Sequence, residues 1–197
     1  MSLTLEPLLP NCFYHVYNHA NGSDNLFNND ANYFFFLEKY KQYILPIADT
    51  FAYCLMPNHF HLFVRFKPLQ GLQTLEGVSE DKYYSQQFSN MFNGYTQAYN
   101  KMFDRKGSLF NPRFKRKKVD TTDYFIQLIK YIHLNPVTHG FAKHPDDWKF
   151  SSWHSYITSS PSKIKCEEAL QWFADLQNFK SLHQSPVSGK FILDMEL

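Results

Sequence analysis

Two histidines stand one residue apart in the stretch MPNHFHLFV, residues 56–64. Side chains of a β-strand alternate between its two faces, so His59 and His61 point one way while Phe60 and Leu62 point the other way. The Cβ atoms of such a pair are about 6–7 Å apart, close enough for both imidazoles to reach one ion. Histidine nitrogens suit zinc, but a site with few protein ligands and phosphate oxygens also holds Mg²⁺ or Mn²⁺. A packing pair is the alternative interpretation.

A tyrosine and an asparagine share one side of the helix predicted over residues 121–136. This segment begins with threonine and aspartate, ends at a proline, and carries an apolar stripe around Leu128. Tyr131 and Asn135 are one turn apart and can present a hydroxyl and an amide to the same point. Tyr124 lies on the same strip and is the second candidate. A tyrosine at this position that only packs its ring is the alternative.

Five cations are concentrated in the segment GSLFNPRFKRKKV, residues 107–119. Charge on both faces of an extended segment, with Phe110 and Phe114 beside it, is typical of binding to a phosphate backbone with stacking on bases. A solvated edge strand protected by lysines is the alternative. The five candidate DNA-binding residues are Arg113, Lys115, Arg116, Lys117 and Lys118.

Composition restricts the class of protein. The chain has 197 residues, of which 44% are hydrophobic and 19% charged, as expected for a globular domain with a substantial core. The net charge of +2 gives no indication of nucleic-acid binding by itself. Three dispersed cysteines exclude a cysteine zinc module and favour a reducing compartment. No apolar run reaches the roughly 20 residues that span a bilayer, and no signal peptide is recognisable, so we expect a cytoplasmic protein.

The order of predicted elements gives the fold class. Strand, helix, two strands joined by a Pro-Asn turn, helix and strand predict a ferredoxin-like antiparallel sheet with helices packed on one face, in the α+β class. The predicted strands cover 12–20, 49–56, 59–66 and 113–119, and the predicted helices cover 30–48, with Asp30 as N-cap, 82–106 and 121–136, with a loop at 67–81.

The last forty residues have a different composition. Ser159, Ser160, Pro161 and Ser162 form a linker-like break, and one amphipathic helix is predicted over 166–179. We therefore expect a catalytic domain at 1–157 and an accessory segment with one helix at 158–197, which would tune binding or stability without entering the chemical step. Monomer and homodimer are both left open.

In this order, the segments resemble the REP-associated tyrosine transposases, a branch of the single-tyrosine HUH (insertion-sequence-type) transposases. The resemblance runs from about residue 13 to residue 157. Its most specific part is MPNHFHLFV followed by YIHLNPV at the expected interval. The matching segments are FYHVYNHANG (13–22), AYCLMPNHFHLFV (52–64), GSLFNPRFKRKKVD (107–120), YIHLNPVTHG (131–140) and WKFSSWHSY (148–156).

The resemblance implies a function and a role for each matching residue. His59 and His61 look like the HUH metal ligands, Asn135 like the polar residue that completes coordination of Mg²⁺ or Mn²⁺, and Tyr131 like the nucleophile. The implied reaction is cleavage and rejoining of single-stranded DNA, beside a hairpin, through a covalent 5′-phosphotyrosine. Two other classes stay open: a non-catalytic nucleic-acid-binding module of ferredoxin-like fold, in which the histidines are structural, and a metal-dependent nuclease that uses water and does not need Tyr131.

Overall fold

The computed structural model describes residues 6–69, 79–158 and 161–196. Most of the loop predicted at 67–81, and the serines at 159 and 160, lie outside the described residues. The strands are β1 (Phe13–His19), β2 (Ala48–Met56), β3 (His59–Phe66) and β4 (Lys115–Val119). The helices are α1 (Asp30–Tyr43), α2 (Glu80–Met102), α3 (Thr122–Thr138), α4 (Trp153–Ile157), α5 (Cys166–Trp172), α6 (Leu176–His183) and α7 (Gly189–Glu196), with a 3₁₀ turn at Pro145–Asp147.

The four strands form one antiparallel sheet in the order β2-β3-β1-β4. Together with the chain order β1-α1-β2-β3-α2-β4, this is the ferredoxin-like arrangement, and the predicted α+β fold is confirmed. β3 and β1 occupy the centre of the sheet, so the histidine strand is paired on both sides. The two central strands are therefore the most rigid platform that the fold offers for a site.

One face of the sheet is covered by α1 and α2, as the sequence predicts. Val16, Phe60, Leu62 and Val64 point to this face and pack in one buried, aromatic-rich cluster with both helices. The period-two alternation of β3 is therefore confirmed. Burial of these side chains fixes the register of β3, and with it the face to which His59 and His61 point.

A second helical layer, formed by α3 and the C-terminal helices, covers the opposite face. Here Phe63 of β3 and Ile132 of α3 belong to a second buried cluster. Phe13, Phe125 and Trp172 pack with it at one end of this face, as aromatic rings in tilted and edge-to-face contacts. The histidines lie on the same face at the other end, so one surface of the sheet changes from aromatic core to polar site.

The C-terminal segment contains several helices, and the predicted single helix over 166–179 is wrong. Ala174 adopts a left-handed backbone conformation (φ 67°), which ends α5, and the Asp175 side chain then accepts from Asn178 N–H at 2.7 Å and begins α6. The segment packs closely on the sheet domain: Phe173 and Phe179 belong to the second buried cluster. The division of the chain at residue 157 stays a prediction.

Two element boundaries differ from their predicted positions. Asn29, and not Asp30, is the N-cap of α1, since its side chain accepts from the backbone N–H of Asn32 at 3.1 Å. α3 passes through Pro136 and ends at Thr138, although proline has no N–H and leaves one i→i−4 hydrogen bond of the helix unmade. Within the described ranges, no helix has the length and apolar character needed to cross a bilayer.

Candidate active site

A cleft of about 710 Å³ opens between the β1 and β3 strand ends and helix α3. His59, His61 and Tyr131 form its inner wall, and His139 and Phe141, from the turn after α3, stand at its mouth. Phe141 is 52% exposed, which is unusual for a large aromatic residue. The cleft therefore combines buried imidazoles and a hydroxyl with an exposed aromatic ring.

The turn between β2 and β3 holds the histidine strand in place. Its two residues, Pro57 and Asn58, both have carbonyl groups that accept backbone hydrogen bonds from the chain after β1. Ala20 N–H donates to Asn58 O at 2.7 Å, and Leu26 N–H donates to Pro57 O at 2.7 Å. These bonds tie the start of β3 to the loop beyond β1, so that His59 enters the cleft at a defined position.

Tyr131 is the tyrosine that the fold brings to the histidine pair. Its Oη lies 3.4 Å from Nε2 of His61, and the two rings meet edge to face with centroids 5.1 Å apart. Tyr124 is two turns earlier on α3, where its ring lies 5.6 Å below Nζ of Lys117. Of the two tyrosines on the predicted strip, Tyr131 is the one that lies at the histidine pair.

His59 is held between two amide groups. Its Nδ1 lies 2.8 Å from Oδ1 of Asn58, and its Nε2 lies 3.0 Å from Oδ1 of Asn135. A neutral imidazole carries one N–H, so it can donate to only one of these oxygens, and the other contact is between two lone pairs. Asn135 Nδ2 is also buried without a hydrogen-bond partner among the described residues. Such an arrangement is expected where a cation is to be bound.

Burial keeps the clustered histidines neutral. It lowers the pKa of His59 to about 4 and the pKa of His61 well below its ordinary value. His15, which contacts His61 from β1, has a pKa lowered to about 3, again because its ring is buried. Neutral imidazole is the form that coordinates metal ions, so these rings are ready to act as ligands at pH 7.

The donor set fits a six-coordinate divalent cation that takes its remaining ligands from outside the protein. Adjacent ligands of an octahedral ion with bonds of about 2.1 Å are about 3.0 Å apart, which is the distance between His59 Nε2 and Asn135 Oδ1. No cluster of three His, Cys, Asp or Glu side chains suitable for a metal occurs in the described ranges. A cation held by His59, His61 and Asn135 would have no carboxylate among these ligands and would need negative charge from a phosphate.

Comparison with known proteins supports the resemblance seen in the motifs. No protein-family model matches the chain, and no curated protein matches it. A solved structure, that of a REP-associated tyrosine transposase bound to a REP hairpin, superimposes with a TM-score of 0.61 at 19% identity, over 82% of this chain and 89% of that chain. The chain shares the transposase fold. At this identity the match establishes the architecture and leaves the residue roles to the geometry of the site.

The basic segment is divided by the alternation of β4. Lys115 and Lys117 pair with Tyr17 and His15 and so lie on the face of the site, where Lys115 Nζ stands 5.8 Å over the Tyr17 ring. Arg116 points to the opposite face. Its guanidinium is buried, donates to Ser85 Oγ at 2.7 Å and pairs with Asp81 at 3.4 Å. Arg116 is therefore held against α2 on the face away from the cleft, and its predicted contact with DNA stays a prediction.

The other two predicted DNA-binding residues lie at the surface. Arg113 and Lys118 are both exposed, and the backbone N–H of Lys118 donates to Glu6. Lys118 follows the alternation of Arg116 and lies on the face away from the cleft, because it pairs with Tyr14. Lys115 and Lys117 are therefore the pair of the original five that the strand directs to the site.

The sequence reasoning does not find His15 and Asn58, which lie within hydrogen-bond distance of His61 and His59. His15 was available from the alternation of YHVYNH, which places His15, Tyr17 and His19 on one strand face, but that face could be related to β3 only after pairing was known. Asn58 was treated as a turn residue, and its side-chain contact with His59 had no sequence signal.

Proposed function

We propose that this chain is a transposase-like enzyme that cleaves and rejoins single-stranded DNA, with Tyr131 as nucleophile and Mg²⁺ or Mn²⁺ as cofactor. The observation that carries the proposal is the convergence of four groups: His59, His61 and Tyr131 line one open cleft, and Asn135 is buried beside His59. Tyr131 Oη lies 3.4 Å from His61 Nε2, and His59 Nε2 faces Asn135 Oδ1 at 3.0 Å without a proton to share. The match to a tyrosine transposase fold supports the same reaction class.

The cation would be held by His59, His61 and Asn135. When bound, it would polarise the scissile phosphate and offset the charge that develops on the phosphate oxygens. Asn58 keeps the His59 ring in the orientation that directs Nε2 into the cleft, because its Oδ1 lies at Nδ1. The buried amide of Asn135 is placed by α3, the same helix that carries the nucleophile, so ligand and nucleophile keep a fixed spacing.

Tyr131 would attack the phosphorus of one phosphodiester. The Oη–P bond forms, the P–O3′ bond breaks, the tyrosine loses its proton, and the leaving 3′-oxygen takes one up. The products are a 5′-phosphotyrosine and a free 3′-hydroxyl. Because the phosphotyrosine bond keeps the energy of the phosphodiester, the reverse attack by a 3′-hydroxyl rejoins DNA without ATP.

The surroundings of the tyrosine favour this covalent route over attack by water. Tyr131 is 1% exposed and packs against His61 and against Phe191 of α7, with ring centroids 6.1 Å apart in the second contact. The hydroxyl therefore reaches the cleft while the ring is held from several sides. A nucleophile fixed in this way loses little further freedom on reaching the transition state.

DNA is the proposed partner, as a single strand beside a hairpin. The similar transposase was solved with a REP hairpin, and β4 directs Lys115 and Lys117 to the site face. Lysine contacts to phosphates would hold the backbone in register without reading sequence. The non-catalytic RNA-recognition alternative is disfavoured, because it needs an open sheet face for stacking, and both faces are covered by packed helices.

Covalent trapping tests the proposal. Single-stranded oligonucleotides labelled at the 3′ end, carrying a hairpin and randomised flanks, would be incubated with the chain and Mn²⁺ and resolved under denaturing conditions. We expect a labelled protein adduct that maps to Tyr131 by mass spectrometry. Tyr131→Phe should lose the adduct, and the matched control Tyr124→Phe should retain it.

Three results would contradict the proposal. An adduct that persists in Tyr131→Phe and disappears in Tyr124→Phe identifies the other tyrosine as nucleophile. Cleaved DNA with no adduct at any time indicates a nuclease that uses water. Binding without cleavage, in Mg²⁺ and in Mn²⁺, indicates a non-catalytic binding module.

A further inference from the structure

His15 makes the closest side-chain contact to His61, and the proposed function gives it no role. Its ring is completely buried on β1, and its Nε2 lies 2.9 Å from Nδ1 of His61. The strand register places Tyr17 opposite His61, so His15 is the diagonal neighbour of His61 on the same sheet face. The Tyr17 ring stacks on His15 at 4.6 Å and 18°, which fixes the orientation of the imidazole.

The two histidines of the site have different partners at Nδ1. The partner of His59 at Nδ1 is the Oδ1 atom of Asn58, which can only accept, so a His59 that gives its Nε2 lone pair to a cation keeps its proton on Nδ1. The partner of His61 is another imidazole nitrogen, which either donates or accepts. In the cation-bound state, the partner of His59 is therefore always an acceptor, whereas the partner of His61 has to change its role.

Each tautomer of the His15–His61 pair has a different consequence. When His15 Nε2–H donates, His61 carries its proton on Nε2 and directs it at Tyr131 Oη, 3.4 Å away. When His61 Nδ1–H donates, Nε2 of His61 is a lone pair, as a metal ligand must be. His15 then carries its proton on Nδ1, which is buried without a hydrogen-bond partner among the described residues. In the first tautomer both N–H groups of the pair have acceptors, His61 Nδ1 and Tyr131 Oη, whereas in the second the buried Nδ1–H of His15 has none, so the first tautomer is favoured without a cation.

We propose that His15 and His61 form a two-state tautomer pair, in which His15 donates to His61 in the metal-free chain and accepts from it when a divalent cation is held at His59 and His61. Each ring keeps one proton in both states, and that proton changes from Nε2 to Nδ1 on cation binding. His15 is thus a positioning residue that sets how readily His61 becomes a ligand. This inference rests on the cation site of the proposed function and deepens it.

Nuclear magnetic resonance of the imidazole nitrogens reads the tautomers directly in the full chain. We expect both rings to carry Nε2–H in the metal-free protein at pH 7, and both to change to Nδ1–H on titration with Mg²⁺. A metal-free His61 that already carries Nδ1–H, or a cation-bound His61 with no change of tautomer, would overturn the pair.

Mn²⁺ affinity, measured by electron paramagnetic resonance without DNA, gives a second readout. His15→Phe leaves His61 Nδ1 without an acceptor, so we expect Mn²⁺ to bind about tenfold more weakly, as is typical when the outer partner of a ligand is lost. His15→Gln supplies an amide oxygen that accepts from His61 Nδ1–H, and it should bind Mn²⁺ at least as tightly as the wild type. Tyr17→Phe keeps the neighbouring ring and is the matched control, with affinity within about twofold of wild type.

The outcomes separate this inference from the proposed function. Equal Mn²⁺ affinity in His15→Phe and the wild type overturns the role of His15 and leaves the cation site intact. A wild-type chain that binds no Mn²⁺ overturns the cation site itself, and the switching role of His15 with it. If His15→Phe does not fold, the wild-type tautomers and the His15→Gln affinity still decide the question.

Discussion

The molecule contains two buried histidine clusters on the same side of its sheet, and they differ in how completely their hydrogen bonds are made. In the C-terminal cluster, Ser152 Oγ lies 2.7 Å from His133 Nε2, His133 Nδ1 lies 3.2 Å from His183 Nε2, and His183 Nδ1–H donates to the Phe179 carbonyl at 2.7 Å. Because the last acceptor in this series of hydrogen bonds is a carbonyl, every bond of the series donates in the same direction. Each of the four ring nitrogens of His133 and His183 has a hydrogen-bond partner.

In the cleft cluster, the same kind of side chain is left incompletely bonded. His15 Nδ1 and Asn135 Nδ2 have no hydrogen-bond partner within the described residues, and His59 faces two amide oxygens with one proton. Buried polar groups are nearly always satisfied unless a site has another use for them. The difference indicates that the C-terminal cluster stabilises the fold, while the cleft cluster is kept ready for an external ligand.

The largest effect is expected from the cleft cluster. His59→Ala or His61→Ala should reduce metal-dependent DNA cleavage by about a thousandfold, because several kcal/mol of charge stabilisation at the phosphate are lost with the cation. The fold should be retained, since neither side chain belongs to the apolar face of β3 that packs on α1 and α2. Cleavage rates and thermal melts of the same preparations check both parts. Normal cleavage by the variant with both histidines replaced by alanine would contradict the assignment of His59 and His61 as metal ligands.

The C-terminal cluster should respond in the opposite way. His183→Ala leaves His133 Nδ1–H without a partner, removes the side-chain bond to the Phe179 carbonyl and opens a cavity, so we expect a loss of about 2–4 kcal/mol in the free energy of unfolding. Cleavage by the folded fraction should stay within about twofold of wild type. Urea unfolding combined with cleavage at low temperature separates the two quantities. A large loss of cleavage rate with unchanged stability would show that the C-terminal cluster has a functional role and does not only stabilise the fold.

Acid should destabilise the chain through the same cluster. Burial lowers the pKa of His183 to about 4 in the folded chain, whereas an unfolded histidine has a pKa near 6.5. The unfolded chain therefore binds more protons between these values, and the stability contributed by neutral His183 is fully present above about pH 6.5 and lost as the pH falls toward 4. One such group contributes a slope of at most about 1.4 kcal/mol per pH unit. The slope measured by urea unfolding should be smaller in His183→Ala, and an equal slope in both proteins would contradict the assignment.

The basic strand β4 offers a second contrast, between a buried guanidinium that is paired within the protein and lysine side chains that lie on the face of the site. Lys115→Gln and Lys117→Gln should each weaken binding to single-stranded DNA of any sequence and reduce the log–log salt slope by roughly 0.7 per lost phosphate contact. Arg116→Gln should leave the slope unchanged and lower stability, because its guanidinium is buried and paired with Asp81. Fluorescence anisotropy at several salt concentrations checks this. A smaller salt slope in Arg116→Gln would show that Arg116 contacts DNA phosphates.

The smallest effect concerns the contact between the C-terminal segment and the nucleophile. Phe191 lies 5.3 Å from the Tyr124 ring and 6.1 Å from the Tyr131 ring. Phe191→Ala should change adduct formation by only a few-fold, since it alters packing around Tyr131 and no group that bonds to the phosphate. A chain ending at Ile157 is a harsher test, because it also removes Phe173 and Phe179 from the core. Loss of the adduct in a folded Phe191→Ala variant would make this segment part of the active site.

Local patterns were sufficient to predict the elements and the central residues of the site. Alternation in β3 placed His59 and His61 on one face, and helical spacing placed Tyr131 beside Asn135; the structure brings all four together. These predictions depend only on the geometry of one strand and one helix. The ferredoxin-like fold could also be predicted from local patterns, because these give the order of helices and strands along the chain.

The remaining features depend on contacts between distant segments. The role of His15 required the pairing of β1 with β3, which no local period reveals. The burial of Arg116 required knowing that Asp81 of α2 lies beneath β4. The break at Ala174 was missed because alanine favours helices, and here a tertiary arrangement places it in a left-handed conformation.

The two-residue turn at Pro57–Asn58 makes the site sensitive to chain length at one point. Its carbonyl groups are bound by Ala20 and Leu26, and β3 begins directly after it. A single inserted or deleted residue here would exchange the two faces of β3, placing imidazoles against α1 and α2 and Phe60 or Leu62 in the cleft. Insertion scanning should therefore find this turn intolerant, although it lies at the surface, where loops normally accept length variation.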